Sequence, residues 1–264
     1  MSRVFPPSAL LSRYIAFWSI AWMLAAFSNI AFCSNEKMNM KDFYTDPRML
    51  ALIKAAESNN MNNLKLLVNN GINPNNFGNE GMTPLLWVLG HQNKKALKAL
   101  LSVGADPNLQ FSGKESPMSM AAGAKDANFL KILLDGGGDP NSKNRLGKPA
   151  LFVAIGQVRL DNIKLLLDYG ADINATDRTG TTPVMYAAIL NQYHIVHFLL
   201  ENGADYAHLA DGNISLALYV QSGKVNPQLE VYKWRKKVII MLEEKGIKFP
   251  VPNPSEMQKP GNER

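Results

Sequence analysis

Apolar and polar positions along this chain form blocks that return every 33 residues. A leucine pair stands at Leu100-Leu101, Leu133-Leu134, Leu166-Leu167 and Leu199-Leu200, with Leu67-Val68 in the first copy. A glycine follows each pair, at Gly71, Gly104, Gly137, Gly170 and Gly203, and an asparagine comes four residues later at Asn75, Asn108, Asn141 and Asn174. Each later unit opens on a helix-start phrase: Thr83-Pro84-Leu85, Ser116-Pro117-Met118, Pro149-Ala150-Leu151 and Thr182-Pro183-Val184. A fixed period of this kind marks stacked copies of one supersecondary unit.

One unit can be read from its residues. A Thr hydroxyl before Pro accepts from free backbone N–H groups, and Pro suits the first helical position. A short apolar helix follows, with small pairs such as Ala121-Ala122 and Ala187-Ala188 that let a neighbour approach. A second helix carries Ile195, Val196, Leu199 and Leu200 on one stripe. The glycine ends it in a left-handed cap. The turn-forming run Asp172 to Gly180 suits a hairpin loop. One unit cannot bury its own apolar face, so units stack in one dimension. Leu166 and Leu199 are expected to be buried in that stack.

With Gly-x-Thr-Pro-Leu, Ala-Ala, Ile-Val, Leu-Leu and Gly-Ala-Asp-x-Asn in register, the chain resembles the ankyrin repeat family over residues 46 to 210. The resemblance implies an all-α solenoid of stacked helix-turn-helix units with hairpin loops, about five repeats plus a C-terminal helical cap. The chain departs from the pattern at three places. Pro149 sits one position early, Trp87 and Leu89 replace smaller residues, and Gly136-Gly137-Gly138 reads as a loose turn.

Residues 1 to 33 read as an export segment. Arg3 and Arg13 precede the uncharged run Tyr14 to Phe27. Three readings stay open: a signal peptide cleaved after Cys33, a lipoprotein modified on Cys33, and an uncleaved anchor over the 20 uncharged residues from Tyr14 to Cys33. Phe32 stands where a lipoprotein motif wants a small residue. All three readings place the repeats in the periplasm, free or attached to the membrane and facing it. Residues 34 to 45 read as a linker, and the repeat domain as 46 to 246. Capping helices are expected from 213, including a long one from Gln228 to Lys245, and a Pro-rich disordered tail from 247 to 264.

Composition narrows the function classes. Cys33 is the one cysteine, so no intramolecular disulfide forms and stability rests on stacking. The formal charge is +6, and without Arg3 and Arg13 there remain 26 basic residues against 22 acidic. No unit shows a basic stripe interleaved with aromatics, so nucleic acid is not expected as a partner. His194 and His197 lack a third ligand at metal spacing and read as solvated outer-helix side chains. No Gly-x-Ser-x-Gly elbow or phosphate loop is present. The expectation is no enzyme, no cofactor and no metal.

What remains is a binding surface. The resemblance places partners against hairpin tips and inner helices, on the concave side. The tip positions are Phe77, Asn79, Glu80, Gln110, Phe111, Lys143, Arg145, Leu146, Arg178 and Thr179. The inner-helix positions are Met82, Gly90, His91, Glu115, Lys148, Gln157, Thr181, Ile189 and Leu190. Loop aromatics such as Phe77 and Phe111 suit interface anchors, and Lys143, Arg145, Lys148 and Arg178 form a basic segment suited to an acidic partner. The function expected is a monomeric, non-catalytic binding module outside the cytoplasm that restrains or protects one protein partner. By its layout it resembles immunity proteins to secreted, lipase-like antibacterial toxins. The alternative is a protective or scaffold protein for a periplasmic redox enzyme such as a catalase, with a small-molecule binder or enzyme as the remaining reading.

Overall fold

The computed structural model describes residues 39–110 and 116–253. The export segment with Cys33, the tip residue Phe111, Glu115 and the end of the tail lie outside the described residues. Among the described residues there are thirteen α-helices and one pair of two-residue strands. The chain divides into two compact units, Met1–Arg145 and Leu146–Arg264.

The first unit contains α1 (Met40–Phe43), α2 (Pro47–Glu57), α3 (Met61–Asn69), α4 (Pro84–Gly90), α5 (Lys94–Ser102), α6 (Pro117–Ala122) and α7 (Ala127–Asp135). After α1 these form antiparallel pairs, each an inner helix followed by an outer one. The helix starts work as the sequence suggests. Thr83 Oγ1 accepts from Leu86 N at 3.2 Å, and Ser116 and Ser119 form a reciprocal capping box. The first pair has an equivalent start in Asp46-Pro47, where the carboxylate accepts from Arg48 N at 2.9 Å. The core is a column of repeated positions: Leu64, Leu97 and Leu130 on the outer helices are all fully buried, as are Leu100 and Leu133. Each such side chain contributes about 1.5–3 kcal/mol from burial, before the entropic cost of ordering it.

The repeated asparagines lock neighbouring loops together. Asn75 Nδ2 donates to Gly104 O at 2.9 Å while its Oδ1 accepts from Asp106 N at 2.7 Å. Asn108 does the same one step on, to Gly137 O at 3.0 Å and Asp139 N at 2.7 Å. Asp106 and Asp139 in turn shape the loops locally, since their carboxylates accept from the backbone N–H two residues ahead.

Two expectations change in this unit. The end of the stretch read as a linker is packed structure: Phe43 and Tyr44 are buried against Trp87, with ring centroids at 5.7 and 6.4 Å. Tyr44 Oη donates to Met82 O at 3.1 Å. Two aromatics among polar neighbours find the open end of the first pair, which has no preceding unit to cover it. The Gly136–Gly138 turn is also tight. Gly137 takes the left-handed cap, and a Cβ on Gly138 would come 2.3 Å from Met118 Sδ, because Met118 fills that space.

The second unit contains α8 (Ala150–Gly156), α9 (Leu160–Asp168), α10 (Pro183–Ile189) and α11 (Tyr193–Glu201). It continues with β1 (Leu209–Ala210), β2 (Ile214–Ser215), α12 (Leu216–Ser222) and α13 (Glu230–Glu244). Ile163, Leu166, Val196 and Leu199 continue the repeated core and are fully buried. Pro149 caps α8 without a side-chain hydrogen bond, as its early placement predicts. The strands make a two-residue antiparallel hairpin ahead of α12.

The cap is α12 with α13. Arg235 donates from Nε to Val220 O and from a terminal nitrogen to Gln221 O, both at 2.8 Å, and so satisfies the carbonyls at the end of α12. Helix α13 packs on α11, which corrects the reading of His194 and His197 as solvated. Both are half-buried. His197 meets the Trp234 ring edge at 5.3 Å and Glu201 at 3.1 Å. Burial holds the His194 imidazole below its ordinary pKa. The first residues of the stretch read as a disordered tail are held as well: Val251 N donates to Gln221 Oε1 at 2.7 Å, and Gln221 Nε2 donates to Val251 O at 3.0 Å. No helix among the described residues is long and apolar enough to cross a membrane.

Candidate protein-interaction face

The hairpins and inner helices set side chains at equivalent stations in each unit. In each hairpin the chain turns back through a backbone hydrogen bond, Gly78 N to Met82 O at 2.8 Å and Asp177 N to Thr181 O at 3.1 Å. This closure draws Met82 and Thr181 inward, where they are 2% and 5% exposed. Both were expected on the binding face, and both are instead core residues. Their carbonyls are committed to closing the loop, so their side chains turn beneath it.

The other expected positions sort by exposure. In the first unit Phe77 stands 52% exposed on its tip. Asn79 and Glu80 lie on a short 3₁₀ turn, and Asn79 Nδ2 donates to Asp42 O at 2.8 Å. Gln110, Lys143 and Arg145 are exposed. His91, the C-terminal cap of α4, stacks on Trp87 at 4.2 Å and shares its Nδ1 with Trp87 O at 2.8 Å. Trp87 itself is buried and donates from Nε1 to Glu57 Oε1 at 3.2 Å.

In the second unit Gln157 and Leu190 occupy the cap positions of α8 and α10 that correspond to His91. Gln157 and Arg178 are exposed, Ile189 is 43% exposed, and Lys148 is half-buried. The Lys148 ammonium lies 4.2 Å from the centroid of the Tyr186 ring, which packs at 5.2 Å on Phe152. Burial pushes the Asp177 carboxyl up. Hydrogen bonds from the Thr179 hydroxyl, the Thr179 and Thr181 backbones and the Lys148 charge outweigh that, so it sits below the usual carboxylate range. The basic segment proposed from sequence is thus split between units, with Lys143 and Arg145 in the first and Lys148 and Arg178 in the second.

Several residues of this face were not singled out from the sequence. Leu209 stands 51% exposed at the tip station of Phe77 and Gln110. Tyr186 and Tyr219 are half-buried on the inner helices. The signal was the same 33-residue step, which links Trp87, Met120, Val153, Tyr186 and Tyr219. Burial and the neighbouring Asp177 charge push the Tyr219 phenol up. Among the described residues, no group of three or more His, Cys, Asp or Glu side chains is placed to hold a metal ion.

Comparison with known proteins gives a consistent picture. The family described as ankyrin repeats (3 copies) matches residues 22–111 and again 118–209. Among solved structures, the ankyrin repeat domain of Bcl-3, a member of the IkappaB protein family, is similar at 24% identity with a TM-score of 0.63. That match covers 78% of this chain and 90% of the other. EF0377, an ankyrin repeat protein, is similar at 28% identity with a TM-score of 0.60, over 73% of this chain and 97% of the other. No curated protein sequence matches. The family's repeats are protein–protein interaction modules, typically non-catalytic scaffolds. With its repeat motifs, its helix pairs and a family match across more than half of its length, the chain belongs to the ankyrin repeat family.

Proposed function

We propose that this protein is an exported, non-catalytic binding module that acts by occupying one protein partner through its hairpin tips and inner helices. The carrying observation is the contrast between two sets of positions repeated at the same step. Leu100, Leu133, Leu166 and Leu199 are the same residue, fully buried. Phe77, Gln110, Lys143, Thr176 and Leu209 are five different residues at one exposed tip station. A scaffold held constant beneath a varied surface suits a heterogeneous partner. Export rests on the run Tyr14 to Phe27 behind Arg3 and Arg13. With export, the partner is a protein of the periplasm or of the cell exterior, and the binding restrains or protects it. The finer reading is immunity against a secreted, lipase-like toxin.

The test is a pull-down of the full chain with a C-terminal tag from the periplasmic fraction of its own cells. A single stoichiometric partner, lost when Phe77 and Arg145 are both replaced by Ala, is the expected result. A reporter fused at the C-terminus that is active only in the cytoplasm refutes export. A partner whose hydrolase activity the chain leaves untouched refutes the immunity reading while leaving the binding module in place.

A further inference from the structure

The second unit carries one feature that its repeats do not share. Tyr186, Ile189 and Leu190 lie at i, i+3 and i+4 at the end of α10, so they line one face of the helix. Ile189 is 43% and Leu190 39% exposed. At the same stations one unit earlier stand Val153, Gly156 and Gln157, and one unit later Tyr219, Ser222 and Gly223. The end of α10 is therefore an apolar ridge between two low shoulders. Packing keeps the shoulders low. A Cβ on Gly223 would collide with Tyr193 Oη at 1.9 Å, and one on Gly156 would reach 3.4 Å from Tyr186 Oη.

Cations border this ridge on its tip side. The Lys148 ammonium sits over the Tyr186 ring, one helical turn from Ile189. The Arg178 guanidinium lies against the neighbouring tip, with Nε 3.1 Å from the Cβ position of Gly147. The nearby acid does not offset them toward solvent, because Asp177 Oδ1 already accepts from Thr179 N, Thr179 Oγ1 and Thr181 N. An exposed apolar face marks an interaction site when it is contiguous. Two cations at its edge select what covers it.

We propose that this ridge docks an acidic protein segment: an apolar side chain seats on Ile189 and Leu190 while an adjacent carboxylate meets Lys148 and Arg178. The proposal rests on the binding-module reading above and names the partner's chemistry. Charge complementarity sets the occupant. A carboxylate beside Arg178 forms charge-assisted hydrogen bonds, and one beside Lys148 gains without breaking the contact of the ammonium with Tyr186.

The experiment selects from a phage-displayed random-peptide library on the full chain, then measures the selected peptides by fluorescence polarisation. The variants are Ile189→Ser with Leu190→Ser, Lys148→Met, Phe77→Ala as a first-unit control and Lys164→Met as an outer-helix control. Circular dichroism checks each fold. Methionine keeps an apolar stem on the Tyr186 ring while removing the charge. Expected are peptides pairing Asp or Glu with a large apolar residue, weakened about tenfold or more by each ridge variant and by added salt, and unchanged by the controls. Peptides without acidic enrichment, or ones indifferent to the ridge variants, overturn the proposal. Peptides lost only with Phe77→Ala overturn the ridge and leave the binding module standing. A concentration-dependent dimer in sedimentation that the double serine variant dissolves makes a second copy the occupant. Binding to anionic vesicles lost with Lys148→Met makes it a membrane. Either result overturns the proposal. No selected peptide overturns it as well, and with an empty pull-down the binding-module reading falls too.

Discussion

Replacing Asn108 by Asp exchanges one donor for an acceptor at the joint between two loops. The native amide uses both ends, with Nδ2 on Gly137 O at 3.0 Å and Oδ1 on Asp139 N at 2.7 Å. Asn108→Ala removes both bonds, and since water reaches the exposed Gly137 and Asp139 backbone, the cost is about 1–2 kcal/mol. Asn108→Asp keeps the acceptor but turns a carboxylate oxygen toward a carbonyl oxygen, in a loop that already holds Asp106 and Asp139. At neutral pH its cost is about 1–3 kcal/mol. Both effects favour the protonated acid, whose O–H can donate to Gly137 O, so the folded-state pKa of the new carboxyl lies above its unfolded value of about 3.9. The sign follows from linkage. The Asp variant approaches wild type below the unfolded pKa and loses ground as pH rises through the folded pKa, whereas the Ala deficit stays flat. Urea midpoints from pH about 4 to 7 measure this. A neutral-pH cost under about 0.5 kcal/mol for the Asp variant, or a deficit that does not narrow on acidification, refutes the role given to the asparagine clamp.

Three further outcomes follow from the same geometry. Val158 is a β-branched residue held at φ 55° where Asn59 and Asn191 make the equivalent bend, and it is 48% exposed. Val158→Asn relieves that strain and raises stability by about 0.5–1.5 kcal/mol in a denaturant titration, whereas a decrease contradicts it. Leu166→Ala and Leu199→Ala each empty a fully buried site and cost about 2–5 kcal/mol; a loss below about 0.5 kcal/mol at either site contradicts the stacking face. Burial by α13 holds the His194 pKa below its ordinary value, so its share of stability is complete above about pH 6.5 and is lost as pH falls through the folded value. His194→Gln should therefore flatten the acid side of the stability profile, and an unchanged profile contradicts the burial argument.

The repeats were legible because local signals agree with one another. The Thr-Pro starts cap the helices, the leucines fill the core, and the glycines take the left-handed turns. The misreadings concern contacts between segments distant in sequence. Phe43 and Tyr44 look like linker until Trp87 is placed beside them. His194 and His197 look solvated until α13 folds back over α11. Met82 and Thr181 look like tip-side residues until the hairpin closes on their carbonyls and turns their side chains under. The asparagines were visible at every step of the repeat, but their bridging role requires knowing that adjacent loops lie within hydrogen-bond reach. On the binding face, single positions were legible and their grouping was not, since Lys148 over Tyr186 and Arg178 against Gly147 are contacts between successive tips and helices.

The central claim is that partners are met by the tips and inner helices rather than by the outer helices. A photo-crosslinking amino acid introduced singly at Phe77, Gln157 or Ile189, and separately at the exposed outer-helix residues Lys98 and Lys164, tests it inside living cells. The account predicts one adduct of the same added mass from tip-side sites in at least one unit, and none from Lys98 or Lys164. Adducts from the outer-helix sites alone would contradict it.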